Sequence, residues 1–253
     1  MKDTDSKLFI VGYSKGANTL LKYLGETGME GNTPVQIGGA ISLCNPLIIN
    51  YSELKLPWSH VLRWGAKKQI IKHSPKLRKM SDLHFQSAMR DAVYSSSLSN
   101  LSISTAPYLI RNSSESPFET KIGYSNQEDY WNDASSQAYV PHIAIPFLIC
   151  FSKDDDIANC ATSAVFGKCL ANPNCIVVST ESGGHIGWHC VNNNNIVTSW
   201  NFKSNIMKNK SWDNRIVVEF IASSLNHQFR EMHANNRKNI SSYVSEHYFI
   251  SGL

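Results

Sequence analysis

The chain has 253 residues, of which 42% are hydrophobic and 17% are charged, and its formal net charge is +4. This composition is typical of a globular domain with a sizeable core and excludes a largely disordered chain. The weak basicity gives no indication of nucleic-acid binding, and no apolar run approaches the length of a membrane-spanning helix. The six cysteines form no Cys-x-x-Cys pair, which favours free thiols in a reducing, intracellular compartment.

The beginning of the chain predicts a strand, a tight turn and a helix. Residues 8–11 form a short apolar run that is typical of a buried parallel strand. The pentapeptide Gly12-Tyr13-Ser14-Lys15-Gly16 follows at once. Leucines and an alanine then recur at helical spacing, and we expect Gly25 to end this helix. A second buried strand is predicted over residues 37–43.

The rest of the chain predicts helices first and then alternating strands and helices. We expect helices over 58–71, 83–93, 161–170 and 212–225, strands over 146–151 and 175–179, and a poorly ordered polar tail from about residue 235. This order predicts an α/β fold with a mostly parallel sheet and a helical insertion above its ligand-binding edge. The predicted division is 1–49 for the first part of the core, 50–135 for the helical cap, 136–230 for the remaining core and 231–253 for the tail.

The first glycine-rich turn has the pattern of a nucleophile elbow, in which a serine lies on a sharp turn between a strand and a helix. We expect that only small residues fit beside Ser14, as Gly12 and Gly16 provide. The hydroxyl of Ser14 would then project freely, and the backbone N–H of Lys15 would point toward a developing oxyanion. The pentapeptide alone also fits an ordinary turn with a solvent-facing serine, so its interpretation depends on partner residues elsewhere.

A nucleophilic serine needs a histidine as base and an acid that orients the histidine. Where such an elbow is used, the acid and then the histidine follow later strands in the chain. The strand at 146–151 leads to Asp154-Asp155-Asp156, and the strand at 175–179 leads to Gly183-Gly184-His185. Each group alone also fits a solvated turn. Together they predict a catalytic triad of Ser14, one of these three aspartates and His185, and we expect neither a metal nor a cofactor.

At these residues the chain resembles the abhydrolase-domain lipid hydrolases of the α/β-hydrolase superfamily, which include medium-chain phospholipases, acylglycerol lipases and bacterial YheT-like esterases. The segments 12–18, 129–136, 145–155 and 183–188 carry the resemblance. It implies the C-terminal part of an α/β-hydrolase fold that cleaves small-molecule or lipid esters through an acyl-enzyme, without a nucleic-acid partner. Alignment with the family's acid loop makes Asp155 the orienting acid. Asp156 replaces the family's proline there, so Asp154 stays as the alternative acid.

The resemblance also implies elements that would precede this chain. In the family, half of the sheet, the loop that donates the second oxyanion N–H and, in eukaryotic members, a membrane anchor come before the elbow strand. We therefore expect either a fragment of an active enzyme or a degenerate homologue with little catalysis and a binding role. A thioesterase or peptidase would use the same triad.

A cluster of basic residues lies in the predicted cap and leaves a membrane partner open. These residues suggest peripheral contact of the cap with an anionic membrane, and a solvated helix face is the alternative. The protein could accordingly be soluble or membrane-associated. The cluster consists of Lys67, Lys68, Lys72, Lys76, Arg78 and Lys79.

Overall fold

The computed structural model of the chain describes residues 7–50, 54–77, 83–105, 124, 126–158, 163–188 and 211–240. Its strands are β1 (Leu8–Tyr13), β2 (Ile37–Leu43), β3 (Phe147–Ser152) and β4 (Cys175–Thr180). Its helices are α1 (Lys15–Met29), α2 (Trp58–Leu77), α3 (Leu83–Tyr94), α4 (Leu98–Thr105), α5 (Gln127–Ala134), α6 (Ser163–Leu170) and α7 (Trp212–Ile240), with short 3₁₀ turns at Ser136–Ala138 and Val140–His142.

The four strands form one parallel sheet in the order β1-β2-β3-β4, which confirms the predicted α/β class. Successive side chains of a strand point to opposite faces, and both faces of β3 are buried. Phe147 and Ile149 pack with the leucines of α1, whereas Leu148 and Cys150 pack with Phe220 of α7. Helices therefore cover both faces, as expected for parallel strands that read as continuous apolar runs.

The strand β1 is less buried than its apolar sequence predicts. Within the described residues β1 pairs only with β2, so it forms one edge of the sheet. Leu8 is 56% exposed and Val11 is 37% exposed. The expectation of a fully buried strand over 8–11 does not hold in the described part of the chain, because β1 has one neighbouring strand there and its apolar run lies at the edge of the sheet.

The helix α1 continues through Gly25 to Met29, so the expectation that Gly25 ends it is wrong. A Cβ atom on Gly25 would collide with the backbone of Tyr139, and one on Gly28 would collide with the carbonyl oxygen of His142. Both glycines therefore allow α1 to lie directly against the 3₁₀ turns. They serve close packing rather than helix termination.

The last helix is also longer than expected. The helix α7 continues past residue 225 to Ile240, so residues 235–240 belong to a helix rather than to a loose tail. Residues 241–253 lie outside the described residues.

The predicted cap range contains α2 to α5, of which the sequence indicated only the first two. In the basic cluster, Nζ of Lys67 donates to the carbonyl oxygen of Ser95 at 2.6 Å, and Arg78 and Lys79 lie outside the described residues. The division into core and cap stays a prediction. No helix in the described ranges combines the length and apolar character that crossing a membrane requires.

Candidate active site

The sequence-predicted site residues lie at one edge of the sheet. Ser14 directly follows β1, Asp155 lies three residues after β3, and His185 lies five residues after β4. The carboxyl ends of parallel strands meet at the same edge, which is where ligands bind in open α/β sheets. Three turns that are far apart in sequence thus bring their side chains together.

The turn at Ser14 has a strained backbone. Ser14 has φ 50° and ψ −125°, a conformation that non-glycine residues rarely adopt and that is found mostly at functional sites. Its N–H donates to the carbonyl oxygen of Leu43 at 2.8 Å, which attaches the turn to β2. A Cβ on Gly12 would lie 2.6 Å from Cα of Ala17, so the crossing of strand and helix requires a glycine there. A Cβ on Gly16 would meet nothing within 4 Å, so the expectation that Gly16 is needed for space is wrong.

The N-terminus of α1 points its backbone donors at this turn. The N–H groups of Ala17 and Asn18 donate to the carbonyl oxygen of Ser14 and begin the helical ladder. Lys15 precedes them in the first turn, where N–H groups have no partner within the helix. The N–H of Lys15 and the positive end of the helix dipole are thus available near Ser14.

The three predicted triad residues are in direct contact. Nε2 of His185 lies 2.9 Å from Oγ of Ser14, which is within hydrogen-bond reach. Nδ1 of His185 lies 2.9 Å from Oδ2 and 3.1 Å from Oδ1 of Asp155. With Nδ1–H donating to the carboxylate, Nε2 is the ring atom that can accept the Ser14 proton.

The carboxylate of Asp155 is buried and well supplied with donors. Oδ1 accepts hydrogen bonds from the N–H groups of Ile157 and Ala158 at 2.9 Å and 2.8 Å. Burial by itself raises the pKa of Asp155, but the hydrogen bonds from His185 and these two N–H groups outweigh it. The pKa of Asp155 is consequently lowered from its ordinary value, and the carboxylate stays ionised at neutral pH.

The alternative acid, Asp154, has a different set of partners. Its carboxylate accepts hydrogen bonds from the N–H of Gly184 at 2.7 Å, from the N–H of Gly183 at 3.3 Å and from the hydroxyl of Ser152. These hydrogen bonds lower the pKa of Asp154. Asp154 thus supports the backbone of the loop that carries the histidine, while Asp155 contacts the imidazole.

The loop before and after His185 needs unusual backbone angles. Gly183 has φ 156° and Gly184 has φ 55°, and a Cβ on Gly183 would collide with the indole of Trp188. Ile186 has φ 63°, which is strained for a β-branched residue. Trp188 is buried, and its Nε1 donates to Oγ1 of Thr180 at 2.8 Å. The glycines let the chain turn back over the sheet, and Trp188 holds the far end of the loop.

Sequence reasoning missed Cys44, which directly follows β2 at the same edge. Its Sγ accepts a hydrogen bond from the N–H of Ile186 at 3.2 Å, and its own φ is 49°. Sγ, a carboxylate oxygen of Asp155 and a ring nitrogen of His185 lie within 4.8 Å of one another, a donor set that a soft metal ion could use. However, burial raises the pKa of the Cys44 thiol to about 12, and the other two groups bond to each other. The position after a predicted strand was the available sequence signal.

The segments that carry the family resemblance also meet in space. Asn18 Nδ2 donates to the carbonyl oxygen of Ala134 at 2.6 Å, and Asn18 Oδ1 accepts from the N–H of Ser136 at 2.9 Å. The hydroxyl of Ser135 in turn accepts a hydrogen bond from the N–H of Ile49 at 2.8 Å. The residues after the elbow and those after α5 thus form one buried hydrogen-bonded unit behind Ser14.

Several curated proteins resemble this chain in sequence. Embryogenesis-associated protein EMB8 of Picea glauca is 28% identical over 189 residues, which cover 73% of this chain and 38% of that protein. Monoacylglycerol lipase of Saccharomyces cerevisiae is 24% identical over 196 residues (72% and 38%), and Phospholipase ABHD3 of Homo sapiens is 27% identical over 183 residues (70% and 39%). These similarities support membership of the α/β-hydrolase superfamily.

The superfamily match covers only part of each relative. The chain spans about two fifths of the length of these curated relatives. Among solved structures, it is similar to the monoacylglycerol lipase of Paleococcus ferrophilus, with a TM-score of 0.35 and 15% identity over 71% of this chain and 60% of that one. No protein-family profile matches the chain.

Proposed function

We propose that this chain carries the catalytic triad of a serine hydrolase that cleaves carboxylic esters. The observation that carries the proposal is the 2.9 Å contact between Oγ of Ser14, on its strained turn, and Nε2 of His185. A merely solvent-facing serine would not need a backbone conformation that costs about 1–3 kcal/mol, and it would rarely meet an imidazole that a buried carboxylate orients.

The proposed reaction uses His185 first as a base and then as an acid. Oγ of Ser14 attacks the ester carbonyl carbon while its proton passes to Nε2 of His185. The tetrahedral intermediate collapses, the proton moves from Nε2 to the leaving alkoxide oxygen, and an acyl-Ser14 ester and an alcohol result. Water then attacks the acyl-enzyme with His185 as base, which releases a carboxylic acid and restores Ser14. Asp155 stays ionised throughout and stabilises the imidazolium.

The oxyanion of the intermediate needs donors in place before the reaction. We assign one of them to the backbone N–H of Lys15, because it lies at the N-terminus of α1 directly after Ser14. Removal of one such donor lowers the rate roughly 10²–10³-fold in serine hydrolases. The presence of a second donor beside the N–H of Lys15 would therefore raise turnover by a comparable factor.

Lipid esters are the proposed substrate class. Relatives of this chain include proteins named monoacylglycerol lipase, medium-chain fatty acid ethyl ester synthase/esterase 2 and phospholipase. All three names refer to acyl chains on an ester oxygen, which is the bond that the proposed triad would cleave. We therefore expect esters of medium or long acyl chains to be hydrolysed in preference to acetyl esters.

The test is hydrolysis of a series of p-nitrophenyl esters of increasing acyl length. The wild-type chain should release p-nitrophenol, and Ser14→Ala should reduce the rate by several orders of magnitude. Ser104→Ala is the matched control, because this hydroxyl donates to the carbonyl oxygen of Asn100 within α4. If Ser14→Ala hydrolyses the esters as fast as Ser104→Ala, Ser14 is not the nucleophile and the proposal is wrong.

A further inference from the structure

The carboxyl group of Asp213, in the first turn of α7, contacts the strand that leads to the proposed nucleophile. Asp213 is buried. The hydroxyl of Tyr13 lies 3.4 Å from its Oδ2, and the hydroxyl of Ser211 lies within hydrogen-bond reach of its Oδ1. Tyr13 is the last residue of β1 and directly precedes Ser14. The first turn of α7 is therefore connected to the residue next to the serine.

The same turn of α7 holds the loop that carries His185. The carbonyl oxygen of Trp188 accepts hydrogen bonds from Oγ of Ser211 at 2.6 Å and from the N–H of Trp212 at 3.0 Å. The rings of Trp188 and Trp212 also lie close together, with their centroids 5.7 Å apart. Trp188 comes three residues after His185 in the sequence. These contacts attach the end of the histidine loop to α7.

The hydroxyl of Ser211 connects the two sets of contacts. The carbonyl oxygen of Ser211 accepts the first helical hydrogen bond of α7, from the N–H of Arg215 at 3.3 Å, so Ser211 is at the position of a helix cap. A serine there usually turns its hydroxyl to the N–H groups of the first turn. The hydroxyl of Ser211 lies instead between the carbonyl oxygen of Trp188 and the carboxylate of Asp213, and its single proton serves both acceptors in turn.

The two segments that meet at α7 both have strained backbones. Ser14 has φ 50°, and Ile186, directly after His185, has φ 63°. Such conformations persist only where surrounding contacts hold them in place. Burial and the carboxylate of Asp213 raise the pKa of Tyr13, so the phenol keeps the proton that it donates to Asp213. The contacts of Asp213 thus act on the two segments whose placement determines the distance between the serine and the imidazole.

We propose that Asp213 is a positioning residue, which fixes the separation between Oγ of Ser14 and Nε2 of His185. It acts through Tyr13 on the serine turn and through Ser211 on the histidine loop. The inference rests on the proposed hydrolase function, because this separation affects a reaction only if a proton passes between the two atoms. A misplacement of about 1 Å in an active site can slow a reaction about 10²-fold.

The first measurement is the steady-state hydrolysis of one p-nitrophenyl ester. Asp213→Ala should lower kcat about 30–100-fold and change KM less than about threefold, because the proton transfer and not substrate binding depends on the separation. Asp213→Asn keeps an oxygen that accepts from the hydroxyls of Tyr13 and Ser211, so its kcat should return to within about fivefold of the wild-type value. Glu219→Ala is the matched control, because it removes an exposed acid from the same helix and should leave kcat unchanged.

The second measurement does not require turnover. The nitrogen NMR spectrum of isotope-labelled histidine reports the hydrogen bond at Nε2 of His185, and Ser14→Ala supplies the spectrum of the chain without that contact. Asp213→Ala should move the Nε2 resonance towards its position in Ser14→Ala. Glu219→Ala should leave the resonance at its wild-type position.

A folded Asp213→Ala chain with the wild-type kcat, or with a changed KM alone, would overturn the proposal, as would an unmoved Nε2 resonance. If circular dichroism shows that Asp213→Ala is unfolded, Tyr13→Phe takes its place. It removes one contact of Asp213 and should lower kcat about threefold, with a smaller shift of the resonance in the same direction. Equality of Tyr13→Phe with the wild type in both measurements would then overturn the proposal. A wild-type chain that hydrolyses no ester would instead refute the proposed function, and the Nε2 resonance would still decide whether Asp213 holds the contact.

Discussion

At the scale of single residues, the neighbours Asp154 and Asp155 differ in the groups that their carboxylates contact. Both carboxylates have a lowered pKa, but Asp154 receives its hydrogen bonds from the backbone of Gly183 and Gly184, and Asp155 receives one from the imidazole of His185. The first set of contacts shapes the loop. The second set joins the carboxylate to Nδ1 of the imidazole.

Asp155→Asn should therefore be far more damaging than Asp154→Asn. With an amide in place of the buried carboxylate, Nδ1–H loses its ionised acceptor, and we expect ester hydrolysis to slow by roughly 10⁴-fold. Asp154→Asn keeps one oxygen for the N–H of Gly184 and should slow hydrolysis by about tenfold or less. Steady-state kinetics on one p-nitrophenyl ester measure both. The larger loss in Asp154→Asn would make Asp154 the orienting acid.

Cys44 lies beside the triad but should be chemically inert in the folded protein. Burial raises the pKa of its thiol to about 12, so the thiolate that reacts with alkylating reagents is nearly absent at neutral pH. We expect iodoacetamide to leave Cys44 unmodified in the native state and to modify it after unfolding. Peptide mapping by mass spectrometry measures this. Rapid native-state modification of Cys44 would show that its thiol is more accessible, and its pKa lower, than its burial indicates.

At the scale of elements, the packing of α1 against the 3₁₀ turns depends on glycines, which have no side chain. Gly28→Ala places a methyl group on the carbonyl oxygen of His142, so α1 must move away, and we expect a loss of about 1–3 kcal/mol in the free energy of unfolding. Gly65→Ala on α2 is the matched control, because its methyl group meets nothing within 4 Å and should stabilise the helix by about 0.5–1 kcal/mol. Urea denaturation measures both changes. Equal effects would contradict the packing account.

The strands were more predictable from sequence than the helices. The strand over 37–43 agrees with β2 residue for residue, since an apolar run that ends at Asn45-Pro46 leaves little choice. Gly25 was misleading because glycine also permits close approach of two backbones, and nothing local distinguishes this use from helix termination. The continuation of α7 beyond 225 was missed because polar residues dominate there, with Phe229 and Met232 the only large apolar side chains in the sequence from 226 to 239.

The site shows the same limits. Chain order brought Ser14, the aspartates 154–156 and His185 forward as candidates, because each group follows a predicted strand, and the family resemblance selected Asp155 among the aspartates. Cys44 also follows a predicted strand. The sequence alone, however, does not show that its Sγ accepts a hydrogen bond from the N–H of Ile186 beside the site. The expected role of Gly16 failed because only the packing around a turn tells which of its glycines is crowded. The catalytic roles themselves stay predictions.

At the scale of the whole molecule, acid should destabilise the fold through hydrogen-bonded carboxylates, of which Asp155 is buried and Asp133 is half-buried. Burial raises the pKa of Asp133, but hydrogen bonds from Tyr124, Lys22 and Tyr139 outweigh it, so the pKa lies below its ordinary value of 3.8. A carboxyl group with a lowered folded-state pKa stabilises the fold fully above its unfolded value and loses this contribution as the pH falls through the folded value. Asp155 acts in the same direction.

We therefore expect the free energy of unfolding to fall as the pH drops below about 4. Asp133→Asn should be less stable than the wild type at neutral pH and should lose less stability on acidification, because one of the responsible carboxylates is gone. Tyr124→Phe should act in the same direction more weakly, since it removes a single hydrogen bond to Asp133. Urea denaturation over a pH series measures these slopes. An Asp133→Asn slope as steep as that of the wild type would be inconsistent with this assignment.

The most direct test of the proposed nucleophile is labelling with a fluorophosphonate, which forms a covalent bond only with an activated serine. The wild-type chain should gain one adduct, peptide mass spectrometry should assign it to Ser14, and His185→Ala should label far more slowly because Oγ loses its base at 2.9 Å. Absence of an adduct on a folded chain, an adduct on a different serine, or equal labelling of His185→Ala would contradict the proposed triad.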